Sequence, residues 1–168
     1  MAFGTGTHPT TQLCLQLLEQ HLKPGQPIID VGCGSGILSI AAVKLGASHV
    51  LAVDVDRQAV VSTNENAEIN DLPPCALETG VGSVTEILEN QFSIQDAPLV
   101  LVNILAQIIL NLFEKGLGKL VQGNGLLLLS GILDHQEQEV QRAAVRAGFI
   151  LSDKLQDGDW VSLALHKQ

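Results

Sequence analysis

The chain has 168 residues, enough for one domain with a full apolar core, so neither disulfides nor a structural metal is needed to hold it together. Apolar residues make up 46% and charged residues 16%, a balance that excludes a disordered chain. The formal net charge of -9 argues against direct binding of nucleic-acid phosphate; it would suit a basic protein partner, the plainer reading being acidity for solubility alone.

Cys14, Cys33 and Cys75 are odd in number and lack Cys-x-x-Cys spacing, which points away from a disulfide framework and toward a reducing, cytoplasmic setting. The first residues carry neither the basic segment nor the apolar stretch of a signal peptide. His8, His21, His49, His135 and His166 are scattered without ligand spacing, so no metal site is expected, and these residues are read as surface or capping groups.

The opening, Met-Ala-Phe-Gly-Thr-Gly-Thr-His-Pro-Thr-Thr (1–11), is rich in Gly and Thr. Gly4 and Gly6 make it a segment able to fold over a ligand, the plainer alternative being a free end with a helix cap at Thr7. Pro9 suits the first turn of a helix over 8–21, whose buried stripe is Leu13, Leu17 and Leu18.

A strand over 28–32 then runs into Asp30-Val31-Gly32-Cys33-Gly34-Ser35-Gly36, which opens a helix over 36–45. Alternate glycines there let the backbone turn sharply and approach a ligand where a Cβ would clash. A dinucleotide fingerprint would place its third glycine at position 37, which is Ile37. The nicotinamide reading therefore loses.

The next strand, 50–55, ends at Asp54, whose carboxylate can accept from both vicinal hydroxyls of a ribose; Asp56 behind it reads as the N-cap of a helix over 57–70. Pro73-Pro74 stops that helix, and a strand over 76–79 and a short helix near 83–89 follow. The uncharged run 97–113 approaches membrane-spanning length, but the amides of Asn103, Gln107 and Asn111 would each cost on the order of several kcal/mol in lipid. It is read as a strand over 98–104 leading into a helix over 105–121. Asn103, at the end of that strand, faces the crevice where open α/β sheets bind ligands and is assigned to the cofactor or the acceptor; a backbone-satisfying role is the alternative.

A strand over 125–130 precedes a helix over 134–147 with Val140, Ala143, Ala144 and Ala147 on its stripe and an Asp134–Glu137 capping box. Gly46 and Gly148 sit where left-handed caps end helices. Strands over 150–155 and 160–166 are separated only by residues 156–159, a hairpin that makes one strand antiparallel. Trp160, at the start of the last strand, is assigned to packing.

The segments 2–11, 29–38, 53–56 (Val-Asp-Val-Asp), 103–106 (Asn-Ile-Leu-Ala) and 129–133 (Leu-Ser-Gly-Ile-Leu) together resemble the PrmA family, the methyltransferases of ribosomal protein L11. The resemblance spans essentially the whole chain. It implies an α/β fold of the Rossmann-like, seven-stranded class I methyltransferase type, mostly parallel with one antiparallel strand in a C-terminal hairpin and helices on both faces. It also implies S-adenosylmethionine as cofactor, with Thr11, Gly32, Asp54 and Asn103 in contact with it, and lysine ε-amines and the N-terminal α-amine of the ribosomal protein as acceptors. Asp30 and Gly34 join the cofactor set from the loop itself. Family members carry an N-terminal substrate-recognition domain, and this sequence opens where their catalytic part opens, so residues 1–168 are expected to be the methyltransferase domain alone. No general base stands out; His8 is the one candidate. The competing expectations are a small-molecule or RNA methyltransferase and a cofactor-binding module without turnover. No membrane partner is expected.

Overall fold

In a computed structural model, the structure describes residues 6–168. Residues 1–5, with Gly4 and the start of the Gly/Thr-rich opening, lie outside the described residues.

Helix α1 (Pro9–His21) leads into β1 (Pro27–Val31), α2 (Ile37–Lys44), β2 (His49–Asp54), α3 (Arg57–Ile69), β3 (Leu77–Val81) and α4 (Val84–Leu88). The second half runs β4 (Ala97–Asn103), α5 (Ala106–Glu114), β5 (Val121–Leu133), α6 (Glu137–Arg146), β6 (Phe149–Asp157) and β7 (Trp160–Lys167). Among the described residues the strands form one seven-stranded sheet in the order β3-β2-β1-β4-β5-β7-β6. β7 lies antiparallel to both of its neighbours, and the other pairings are parallel, as the hairpin composition requires.

Side-chain alternation explains why the central strands read as unbroken apolar runs, since each is buried on both faces. Ile29, Val31, Leu51, Val53, Val100, Val102, Leu127 and Leu129 pack with residues of α4, α5 and α6. Ile28, Val50, Leu99, Leu101 and Leu128 pack with Leu17 and Leu18 of α1 and Leu38 and Ala42 of α2 on the opposite face.

Local signals place most helix ends. Asp56 accepts from the Gln58 N–H at 2.9 Å and caps α3, and Gly46 and Gly148 take left-handed conformations after α2 and α6. Four expectations are corrected. The cap of α1 is His8, whose Nδ1 accepts from the Thr10 N–H, rather than Thr7. The helix expected over 105–121 ends at Glu114, because Gly116 turns left-handed and a short 3-10 turn follows. β5 consequently begins at Val121 instead of residue 125; Val121 pairs with Ala97, and Asn124, at positive φ, lies in the irregular stretch before Leu126 pairs with Leu99. No Asp134–Glu137 box forms: Gln136 returns to the Leu133 N–H at 3.1 Å, while Glu137 pairs with Lys154 at 2.6 Å.

β5 also carries a bulge. Leu129 pairs with Leu163 and Ile132 with Val161, so Ser130 and Gly131 together oppose one residue of β7. Gly131 lies at φ +85, and a Cβ there would collide with the backbone carbonyl of Ile104. Gly131→Ala is expected to lower unfolding stability by about 2–4 kcal/mol in urea denaturation, from left-handed strain plus overpacking. Gly123→Ala, where a Cβ meets nothing within 4 Å, should change it by less than about 0.5 kcal/mol. Equal stability of the two variants would contradict this contact.

Candidate active site

β1 and β4 are neighbours in the middle of the sheet, yet the helices that follow them, α2 and α5, leave for opposite faces. A crevice opens where such chain directions diverge. It is a cleft of about 470 Å³ lined by Gly32, Cys33, Gly34 and Ser35 after β1, Asp54 on β2, and Asn103, Ile104 and Leu105 after β4. His8, Thr10 and Thr11 of the α1 end, Ile37 and Leu38 of α2, Ile108 of α5, Gly131 and Trp160 complete the wall.

The loop after β1 is held by its own backbone. Gly32 and Cys33 donate to the Val53 carbonyl at 2.8 and 3.1 Å, and Gly36 donates to Cys33 at 2.8 Å. Gly34 donates to Asp54 Oδ2 at 3.0 Å, while Asp54 Oδ1 accepts from the Asp56 N–H at 2.9 Å. Gly32, Gly34 and Gly36 all have positive φ, the conformation expected of this loop. α3 closes the loop from outside: Thr63 Oγ1 donates to the Gly34 carbonyl at 3.1 Å and Asn66 Nδ2 to the Ser35 carbonyl at 2.8 Å. Neither residue was legible as a loop support, since a lone Thr and Asn on a polar helix carry no spacing signal.

Of the residues singled out from sequence, Thr11, Gly32, Gly34, Asp54 and Asn103 meet in this cleft. Asn103 Nδ2 reaches Thr11 Oγ1 at 3.5 Å. Asp30 is placed elsewhere. It shares the face of Ile28, toward α1 and α2, is 1% exposed, and accepts from Ser39 Oγ at 2.6 Å. Its Oδ1 has no partner among the described residues. Burial, with a smaller contribution from the charge of Asp54 and against the Ser39 hydrogen bond, raises its pKa to about 6. Burial likewise pushes the Cys33 thiol up to about 12 and the Cys14 thiol higher still, so neither is a nucleophile.

Trp160 stands in the cleft wall with its ring edge toward His8, the centroids 5.0 Å apart at 69°. Its position follows from the hairpin. Because β7 runs backwards, its first residue lies at the edge where the parallel strands end.

A family model described as ribosomal protein L11 methyltransferase (PrmA) matches residues 1–168. The chain belongs to the ribosomal protein L11 methyltransferase family. A ribosomal protein L11 methyltransferase of Bacillus cereus (strain AH820) is 44% identical over 163 residues, 97% of this chain and 50% of that protein, and one of Bacillus anthracis (strain A0248) matches equally. The chain thus spans about half the length of the curated relatives it matches. The crystal structure of a ribosomal protein L11 methylase from Lactobacillus delbrueckii subsp. bulgaricus superposes with a TM-score of 0.86 at 32% identity, covering 100% of this chain and 82% of that one. A precorrin-6y C5,15-methyltransferase from Geobacter metallireducens, 12% identical, shares the fold at a TM-score of 0.77, covering 100% of this chain and 94% of that one. No helix among the described residues is long and apolar enough to cross a membrane.

Asp30 makes a pH prediction possible. The folded chain keeps its proton up to about pH 6, whereas the unfolded chain releases it near 3.8. The folded state therefore binds more protons in between, and this group's contribution is fullest below pH ~4 and is lost as pH rises through ~6, by about 2–3 kcal/mol. Denaturant unfolding of the parent and Asp30→Asn at both ends of that window should show the parent losing about this much relative to the variant. A constant difference between the two proteins would exclude a protonated Asp30.

Proposed function

We propose that these residues form the methyl-transferring domain of a ribosomal protein L11 methyltransferase, which binds S-adenosylmethionine in the cleft and methylates lysine ε-amines and the N-terminal α-amine of that ribosomal protein. The observation that carries the reading is the cleft's hydrogen-bonding and charge state. The N–H groups of Gly32, Cys33, Gly34 and Gly36 are already spent on Val53, Asp54 and Cys33, and no Lys or Arg lines the wall among the described residues. A pyrophosphate would find four of the loop donors already taken and no cation there, whereas a sulfonium nucleoside meets the carboxylate of Asp54.

The residues present fit that cofactor. Each Asp54 oxygen accepts one backbone N–H and keeps capacity for a ribose hydroxyl, four acceptor sites in all being typical of a carboxylate. When bound, S-adenosylmethionine supplies a methyl group on a positively charged sulfur. The chain's work is then to hold a neutral amine in line with it, which is mainly positioning. Asn103, tied through Nδ2 to Thr11, has its amide oxygen left to accept an amine N–H. Ile104, Leu105, Ile108 and Trp160 supply apolar wall that disfavours the charged ammonium. The acceptor's proton is assigned to solvent rather than to His8: with Nδ1 accepting from the Thr10 N–H, the neutral ring carries its hydrogen on Nε2.

Calorimetric titration with S-adenosylmethionine and a radiolabelled-methyl assay on the ribosomal protein, small amines and RNA test the reading. Asp54→Asn and Asp54→Ala should each weaken cofactor affinity at least about tenfold with the circular-dichroism spectrum unchanged. Binding without transfer to any acceptor, or label in RNA alone, would refute the assigned acceptor. Because the amine must be neutral, log(kcat/KM) should rise with unit slope toward the free lysine pKa of about 10.4, in parent and His8→Gln alike. A parent profile that levels off near neutral pH, turned by His8→Gln into that rising slope, would restore histidine as base.

A further inference from the structure

The Leu-Ser-Gly-Ile-Leu segment holds a feature that binding at Asp54 and Asn103 leaves unexplained: Ser130, which meets Ser162 of β7, both 0% exposed. On the sheet face under α1, where Leu128 and Ala164 belong to the apolar cluster, the neighbouring positions are hydroxyls. An apolar pair is the default at such a place.

The hydroxyls are fully directed. Ser130 Oγ donates to the Thr10 carbonyl at 2.7 Å, so the 2.5 Å contact between the serines has Ser162 donating to Ser130. Thr10 carries the connection on, its N–H 3.3 Å and its hydroxyl 2.8 Å from His8 Nδ1. The chain of contacts therefore runs from β7 through β5 to the end of α1 that forms one wall of the cleft. The β5 bulge makes this possible. Without the extra residue, Gly131 and Ile132 would exchange faces; with it, Ile132 returns to the core of Leu127 and Leu129, and Gly131 lines the cleft.

Burial of Leu13, Cys14, Leu17 and Leu18 holds α1 on the sheet, but apolar burial has no direction and leaves the helix's rotation and depth weakly specified. Hydrogen bonds are directional. We infer that Ser130 and Ser162 are positioning residues: the buried hydroxyl pair fixes the first turn of α1, and with it the His8, Thr10 and Thr11 wall, at the spacing the bound cofactor requires. This rests on reading the cleft as the S-adenosylmethionine site.

Calorimetric titration of the 168-residue chain with S-adenosylmethionine tests it, at a temperature where thermal scans show every variant folded. Ser130→Ala should weaken binding by about tenfold, Ser162→Ala by less, and the double variant no more than Ser130→Ala alone, because Ser162 acts through Ser130. Val140→Ala, a core truncation on α6 across the sheet, supplies a destabilised control whose affinity should match the parent. Parent-like binding by Ser130→Ala, or equal loss in Val140→Ala, would reduce the pair to a structural contact and overturn the inference. Should Ser130→Ala not fold, Ser162→Ala carries the comparison. A parent chain that binds no cofactor would instead overturn the reading of the cleft, a result separable from the first.

Discussion

Burial of the central strands on both faces is the constraint from which the rest follows. With Ile29, Leu51, Val100 and Leu127 packed beneath one helical layer and Ile28, Val50, Leu99 and Leu128 beneath the other, an unpaired polar group in the sheet interior is costly, and among the described residues Asp30 Oδ1 is the one buried side-chain oxygen left without a partner. Polar chemistry is displaced to the edge where the parallel strands end. The buried polar residues that do occur among those described, Thr10, Thr11, Asp30, Ser39, Thr63, Ser130 and Ser162, are on α1, α2, α3 or the strand faces they cover. They make up the scaffold around one side of the cleft.

Asp54 shows how little has to move at that edge. Its carboxylate already closes hydrogen bonds on Gly34 and Asp56, so the group proposed to receive a ribose also sets the shape of the facing loop. Thr63 and Asn66 hold the same loop from α3. A site assembled this way before the ligand arrives forfeits less conformational entropy on binding. It also means that removing the Asp54 carboxylate alters loop and ligand contact together, whereas the amide variant keeps an acceptor and separates them in degree.

The sequence made the strands legible because doubly buried segments are mostly apolar, and the loop legible because glycine is strongly favoured at its three left-handed positions. Those are constraints written into single residue types. The hairpin composition of residues 156–159 similarly foretold the reversed strand. What escaped was set by partners distant in sequence. Ser130 and Ser162 acquire meaning only when β5 and β7 lie side by side. The extension of β5 back to Val121 depends on a pairing with Ala97. Asp30 belongs to the same short motif as Gly32 and Gly34, but strand alternation turns it beneath α2, away from the cleft its neighbours line. Trp160 was visible as the first residue of a reversed strand, and combining that reversal with the location of the crevice would have put it in the wall.

The three thiols divide by place. Cys14 and Cys33 are buried and kept protonated, while Cys75, just before β3, is exposed at the end of the sheet opposite the cleft. Thiolate is the species that alkylating and oxidising agents attack. Electrophiles in solution therefore meet a single exposed thiol among the described residues, remote from the crevice, and a maleimide fluorophore attached there would report on tumbling or partner capture without touching the pocket.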